Sequence, residues 1–163
     1  MTSGTVQLHL LRHAHAGNPA KWHEPDDQRP LSDRGRGQAE ALGRHLAAVG
    51  QPFDMLVSSP LLRARQTAEL VAARLDLTVV IDNRLAGGAG ISDVEAILAE
   101  QGNPARPILV GHDPDLSDLV TRLSGASDIA MAKGALARID IERPIRADTG
   151  RLVFLLPPLI VPG

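Results

Sequence analysis

The chain contains no cysteine and no tyrosine, and aromatic residues make up only 2% of its 163 positions. Without cysteine there is no disulfide framework, no thiol nucleophile and no thiolate-bound metal. The scarcity of aromatic rings excludes the stacking platforms that hold single-stranded nucleic acids. An excess of one charge is missing as well. Lys and Arg number 17 against 19 Asp and Glu, a formal net charge of -2, so no global basic field exists to draw nucleic acid. Long apolar runs are equally absent. The longest, Leu152 to Val161, is broken by Pro157 and Pro158; it is too short to span a bilayer and reads as a final strand plus tail. The N-terminus lacks the basic segment, apolar run and cleavage site of a secretory leader. A cytoplasmic protein with neither nucleic acid nor membrane as partner is the expectation.

With 44% hydrophobic and 22% charged residues, the composition suits one compact domain over residues 1–163. Thr5 to Leu11, Asp54 to Val57 and Ile108 to Val110 are apolar, β-rich runs bounded by turn residues, as buried strands are. Between them lie helical patterns. Ala39, Leu42, Leu46 and Val49 recur at helical spacing, with Ser32 placed to cap the start and Gly50 the end. Leu61, Ala64, Ala68, Val71 and Leu75 repeat the pattern behind Ser59-Pro60, a capping residue followed by a first-turn proline. Ser92 to Glu95 has the form of a capping box opening a third helix. Leu116, Leu119, Val120 and Leu123 form the apolar face of a fourth, entered through Asp113-Pro114. Leu136 to Ile141 and Arg151 to Leu156 then read as two strands with no helix between them. This alternation predicts an α/β fold, a three-layer α/β/α sandwich whose mostly parallel central sheet includes an antiparallel strand. Ala14 to Leu31 and Asp82 to Ile91, the latter with Gly87, Gly88 and Gly90, are the long loops, both on the proposed active edge.

Arg12 and His13, Arg63, and His112 each fall where a strand ends and the chain turns toward a helix. In an open α/β sheet, ligands bind outside the carboxyl ends of the strands, so these side chains can converge despite their separation in sequence. Neutral imidazole is nucleophilic near pH 7 and can form a covalent intermediate. Guanidinium forks match phosphate oxygens bidentately. Arg63 and His112 also stand at helix starts, where backbone amides and the dipole favour anions. Phosphoryl transfer asks mainly for positioning and charge stabilisation, so this quartet reads as a phosphoryl site, with His13 as the attacking group. His9 inside the first strand reads as a core residue, His23 and His45 as loop and helix-surface residues, and Arg65 as solvated or salt-bridged. His13-Ala14-His15 is also a possible metal pair, but such a site needs further His and Asp ligands, usually in a longer barrel.

Leu11-Arg12-His13-Ala14 resembles the Arg-His-Gly signature of the histidine phosphatase superfamily, the phosphoglycerate-mutase-like enzymes. Pro30 to Gly35, Ser58 to Ala68 and Val110 to Pro114 resemble its later blocks, in order and with suitable spacing. Arg29-Pro30-Leu31-Ser32, Lys133-Gly134-Ala135 and Leu155 to Pro158 are similar to the small bacterial phosphohistidine phosphatases of the SixA type. The resemblance implies a phosphoglycerate-mutase-like fold and His13 as the phosphoaccepting nucleophile. It also implies a phosphate pocket of Arg12, Arg63 and His112, no metal and no organic cofactor.

Two departures stand out. Ala14 replaces the usual glycine, and Leu85 to Gly88 offers no carboxylate where many relatives carry a Glu general acid. Releasing an alkoxide needs a proton donor, whereas a phosphoramidate has an easier leaving group. Asp113, beside Pro114, reads as a helix cap. The expected function is therefore phosphohistidine phosphatase, acting on a phosphorylated protein such as a histidine phosphotransfer domain. A small-molecule phosphomonoesterase and a non-catalytic phosphoprotein-binding domain are the alternatives.

Overall fold

The computed structural model describes residues 4–158. Its regular elements are β1 (Thr5–Arg12), α1 (Asp33–Val49), β2 (Met55–Ser58), α2 (Leu62–Leu75), β3 (Val79–Ile81), α3 (Ile91–Glu100), β4 (Pro107–Gly111), α4 (Asp115–Ser124), β5 (Leu136–Glu142) and β6 (Arg151–Leu156). Positions 159–161 of the closing apolar run lie outside the described residues. The six strands form one sheet in the order β3-β2-β4-β1-β5-β6. β1, β2, β3 and β4 pair in parallel, while β5 runs antiparallel to both β1 and β6.

Alternation along the central strands feeds two cores. Val6, Leu8 and Leu10 of β1 and Leu109 of β4 join Val94, Ile97 and Leu98 of α3 and the Leu116, Leu119, Val120, Leu123 face of α4. Leu11 of β1 and Ile108 and Val110 of β4 pack on the other side against Leu42 and Leu46 of α1 and Ala64, Ala68 and Val71 of α2. Successive side chains in a strand point to opposite faces, so the two apolar stripes of one sheet each need a helical cover. The result is the expected three-layer α/β/α arrangement. Among the described residues, no helix is long and apolar enough to cross a membrane.

α1 is capped as anticipated: Ser32 Oγ accepts from the Gly35 amide at 3.1 Å, and Gly50 closes the helix at φ 76°. Four local expectations change. Val49, placed on the buried face by spacing, is 56% exposed in the last turn of α1, where it borders an open groove with Phe53 and Phe154. α2 starts at Leu62 with Leu61 in the cap position, so Ser59 stands too early to cap it; its hydroxyl instead meets His112 and accepts from the Leu61 amide. α3 starts two residues before Asp93, whose carboxylate accepts from the Gly90 amide at 2.8 Å. Glu95, the presumed closing residue of a Ser92 box, instead accepts from the Ile145 amide at 2.9 Å. β3 is a short strand that sequence patterning did not single out.

Register decides what the sheet presents at its upper edge. Arg12 of β1 lies opposite Gly111 of β4, and Ser58 of β2 opposite Val110. Three adjacent parallel strands therefore end level. The ladder continues one step beyond, with the His13 amide donating to Gly111 O and the Ser59 amide to Val110 O, each at 3.0 Å. His13, Ser59 and His112 are thereby neighbours at the mouth of the sheet.

Candidate active site

The structure brings Arg12, His13, Arg63 and His112 to one edge. Arg12 ends β1 and His13 follows it, His112 follows β4, and Arg63 is the second residue of α2. The His13 and His112 rings lie 5.2 Å apart between centroids. All but Arg12 are buried, with residual exposures of 5% for His13 and 8% for Arg63 and His112.

Each side chain is held by specific partners. His13 Nδ1 lies 2.8 Å from the Ala14 carbonyl oxygen. A carbonyl only accepts, so Nδ1 carries the proton and Nε2 keeps its lone pair. Burial is the main reason the His13 pKa falls to about 3, with His112, Arg63 and Arg12 adding to it against the Ala14 bond. Exclusion of water does more than the neighbouring arginines to keep this ring neutral. His112 falls to about 4, again through burial first and then Arg63. Its Nε2 lies 2.7 Å from Ser59 Oγ.

Arg12 donates to Met131 O at 2.7 Å and lies 3.6 Å from Asp113. Arg63 donates to the Asp26 backbone oxygen at 2.8 Å and to its carboxylate at 3.1 Å. Thr67 ties the strand end at His13 to this helix: its hydroxyl donates to Arg63 O at 2.8 Å and accepts from the Ala14 amide at 3.1 Å. The segment before β5 closes the other side, where the Gly134 amide reaches His13 O at 2.9 Å. Lys133, beside it, is pushed down in pKa by burial and by Arg12, Arg29 and Arg63, so it faces the same cationic cluster.

Three buried side-chain nitrogens among the described residues have no hydrogen-bond partner: Arg12 Nε, Arg63 Nε and His112 Nδ1. All belong to the quartet. Leaving buried donors unmet costs free energy, so natural structures keep few of them, and mostly where a ligand engages them. Two guanidinium N–H groups and an imidazole beside a second, unprotonated imidazole can hold the oxygens of a phosphoryl group against a nucleophile.

The remaining histidines go where the sequence put them. His9 is 3% exposed and packs edge-on against Phe53 at 4.8 Å, while His23 and His45 are exposed. Arg65 pairs with Glu69 on the surface of its helix. His15 turns away from His13 to meet Ser32 Oγ at 2.7 Å, at the start of α1. Among the described residues no three His, Cys, Asp or Glu side chains cluster as metal ligands.

Asp26 and Ser59 were missed as site residues. Asp26 lies in a short 3-10 turn (Asp26–Gln28) of the long loop after β1, and no spacing rule links such a position to Arg63. Ser59 carried a signal, adjacency to the end of a central strand, but its position before Pro60 suggested a helix cap instead.

A parallel sheet with one reversed strand, and with histidines and arginines gathered at the ends of its central strands, defines an α/β protein of the phosphoglycerate-mutase-like class. The chain belongs to the histidine phosphatase superfamily, branch 1, and is a phosphatase of that superfamily; the family profile matches residues 8–88. An uncharacterized protein of Picosynechococcus sp. is 36% identical over 116 residues, spanning 69% of this chain and 70% of its own length. The 8-oxo-(d)GTP phosphatase of Mycolicibacterium smegmatis is 34% identical over 109 residues, 64% of this chain, but only 33% of that protein's length is matched. Among solved structures, the protein histidine phosphatase SixA complexed with tungstate superposes with a TM-score of 0.81 at 23% identity, covering 94% of this chain and 97% of that one. A SixA-type protein from Nakamurella multipartitia gives 0.79 at 26% identity, covering 96% and 98%.

Proposed function

We propose that this chain is a phosphohistidine phosphatase, removing phosphate from a histidine of a protein such as a histidine-containing phosphotransfer domain. His13 is the nucleophile, Arg12, Arg63 and His112 hold the phosphoryl oxygens, and neither metal nor organic cofactor takes part. The observation that carries this reading is that three carboxylates beside the site, Asp26, Asp113 and Asp115, are already committed. Asp26 is shared by Arg29 and Arg63, and these partners hold its pKa below the usual value. Asp113 accepts from the Ser117 amide at 3.1 Å and from its hydroxyl at 2.6 Å, as the first-turn cap of α4. Asp115 accepts from the Ala89 amide at 3.1 Å. The loop at Gly87 and Gly88 supplies no carboxylate, and a Cβ built at either glycine meets nothing within 4 Å. Such a site suits a leaving group that departs without help and a substrate that needs room.

The lone pair of His13 Nε2 attacks phosphorus in line, and the substrate's P–N bond breaks. Its electron pair returns to the substrate imidazole, which leaves neutral because the second ring nitrogen carries a proton. Charge on the transferring group is spread over oxygens facing Arg12, Arg63 and His112. Water then attacks the phosphorus on His13, releasing inorganic phosphate and restoring the neutral ring.

Hydrolysis of a small phosphomonoester is the second reading, favoured by the sequence likeness to an 8-oxo-(d)GTP phosphatase. A domain that only binds phosphoproteins would need the arginines but not an unprotonated imidazole between them. The deciding experiment compares phosphate release from a phosphohistidine protein and from an equal concentration of a phosphomonoester, with wild type and His13→Ala. Preferential release from the protein, abolished by His13→Ala, is expected. Preference for the monoester moves the substrate to small phosphates, and release that survives His13→Ala overturns the catalytic assignment.

A further inference from the structure

We infer that Ser59 is a positioning residue: its hydroxyl donates to His112 Nε2 and so places the single imidazole proton on Nδ1, facing the phosphoryl group. The inference rests on the proposal that His112 contacts that group, and it follows from counting hydrogens around one buried hydroxyl.

Ser59 is fully buried, so water does not complete its bonding. Its Oγ accepts from the Leu61 amide at 3.2 Å and lies 2.7 Å from His112 Nε2. The neighbouring Ser58 hydroxyl is turned to the Ser59 carbonyl at 2.9 Å and does not compete for Oγ. A serine hydroxyl has one hydrogen to give and can accept through its lone pairs, while a neutral imidazole has one donor and one acceptor nitrogen. Two placements of the His112 proton are therefore open.

If Nε2 carried the proton, Ser59 Oγ would accept both from it and from Leu61, leaving the serine hydrogen without an acceptor. His112 Nδ1, buried and without a protein partner, would then present a lone pair to the phosphoryl oxygens, a repulsive contact. If Ser59 donates to Nε2, the serine hydrogen is satisfied and the Leu61 amide keeps its acceptor. His112 Nδ1 then carries a hydrogen whose natural partner is an anionic oxygen. The second placement leaves only one group unmet, and that group is the donor a phosphoryl site requires. The burial that lowers the His112 pKa to about 4 keeps the ring neutral, so its one proton has to be on the right nitrogen.

β2 and β4 are joined in register, with Ser58 opposite Val110, which fixes Ser59 beside His112 through the sheet itself. Two strand ends thus set a proton position that neither α2 nor α4 controls alone.

The test is the tautomer of His112 in the 15N-histidine-labelled full chain, read by long-range proton-nitrogen correlation NMR near neutral pH without substrate. The expected spectrum shows a protonated Nδ1 and a bare Nε2. Ser59→Ala should move the proton to Nε2 and lower kcat for phosphate release by about tenfold or more, with a smaller change in KM. Ser59→Thr, which keeps the hydroxyl, should restore the wild-type tautomer. A wild-type His112 protonated on Nε2, or a tautomer indifferent to Ser59→Ala, overturns the inference. Should Ser59→Ala fail to fold, the wild-type spectrum alone decides. Because the spectrum is taken on free protein, failure of the His13 mechanism would appear separately, as phosphate release that persists in His13→Ala.

Discussion

Acid should destabilise this protein well above the range where carboxylates titrate, because three of its histidines are buried as neutral rings. Burial is the leading cause for each, with His9 and His112 lowered to about 4 and His13 to about 3 from an ordinary value of 6.5. In the unfolded chain these rings return to ordinary behaviour and take up protons as the pH falls through 6.5, while the folded protein does not. Stability is therefore fully present above that value and is lost progressively as the pH drops toward the folded-state values. Between about pH 7.5 and about pH 5.5 each ring costs roughly 1.4 kcal/mol, about 4 kcal/mol for the three together. That is a large share of the 5–15 kcal/mol or so that holds a typical domain.

Urea denaturation followed by far-UV circular dichroism measures it directly. With an m-value of about 2 kcal/mol per molar, the midpoint should fall by about 2 M across that interval. Asp26 and Asp82, also lowered in pKa by their arginine partners, titrate below this window and leave it undisturbed. His9→Gln gives the internal control, since His9 lies among Phe53 and Phe154, away from the strand ends. It should remove about a third of the acid loss. A midpoint that stays constant between the two pH values, or an acid loss that His9→Gln leaves whole, refutes the argument.

Two further outcomes follow from the packing around the site. A Cβ at Gly35 would stand 1.9 Å from His15 O, so Gly35→Ala must push α1 off the loop after β1; thermal melting should show a loss of about 2–4 kcal/mol, and an unchanged Tm contradicts it. Arg63→Lys keeps the charge but loses the fork, one end of which is anchored on Asp26 while Nε stays unpartnered; kcat/KM for phosphate release should fall about a hundredfold or more, and a loss under about threefold would show that charge alone suffices.

The sequence made most of the layers legible because their signals are strong and local. The apolar stripe of α4, the Ser32 and Gly50 caps and the alternating runs of β1 and β5 each name their element. Elements whose stability comes from elsewhere were harder to see. β3 has three residues, none buried, and exists because Leu56, Val57 and Ser58 of β2 offer it a parallel ladder. The α3 cap was misplaced because Glu95 serves the distant Ile145 amide, a tertiary demand invisible to a four-residue motif. The same division runs through the site. Arg12, His13, Arg63 and His112 could be placed because strand ends converge by topology. Asp26 could not, since a loop carries it to Arg63, and Ser59 showed its neighbour only once the register of β2 and β4 was known.

Net charge gives no hint of this cationic cluster, because it is an arrangement and not a surplus. Burying Arg63 to 8% exposure removes most of its hydration, and an uncompensated guanidinium there would be costly. Asp26 offsets that cost from the solvent side, its side chain still 62% exposed, and takes only the Nη ends. The Nε edge remains for an anion. Under the proposed function, neutral histidines in such surroundings supply an attacking ring that need not first lose a proton, and act on a leaving ring that need not be given one by the enzyme. On the proposed reading, the missing loop carboxylate and the deeply lowered His13 pKa express one design, in which the first step requires no proton transfer by any protein side chain.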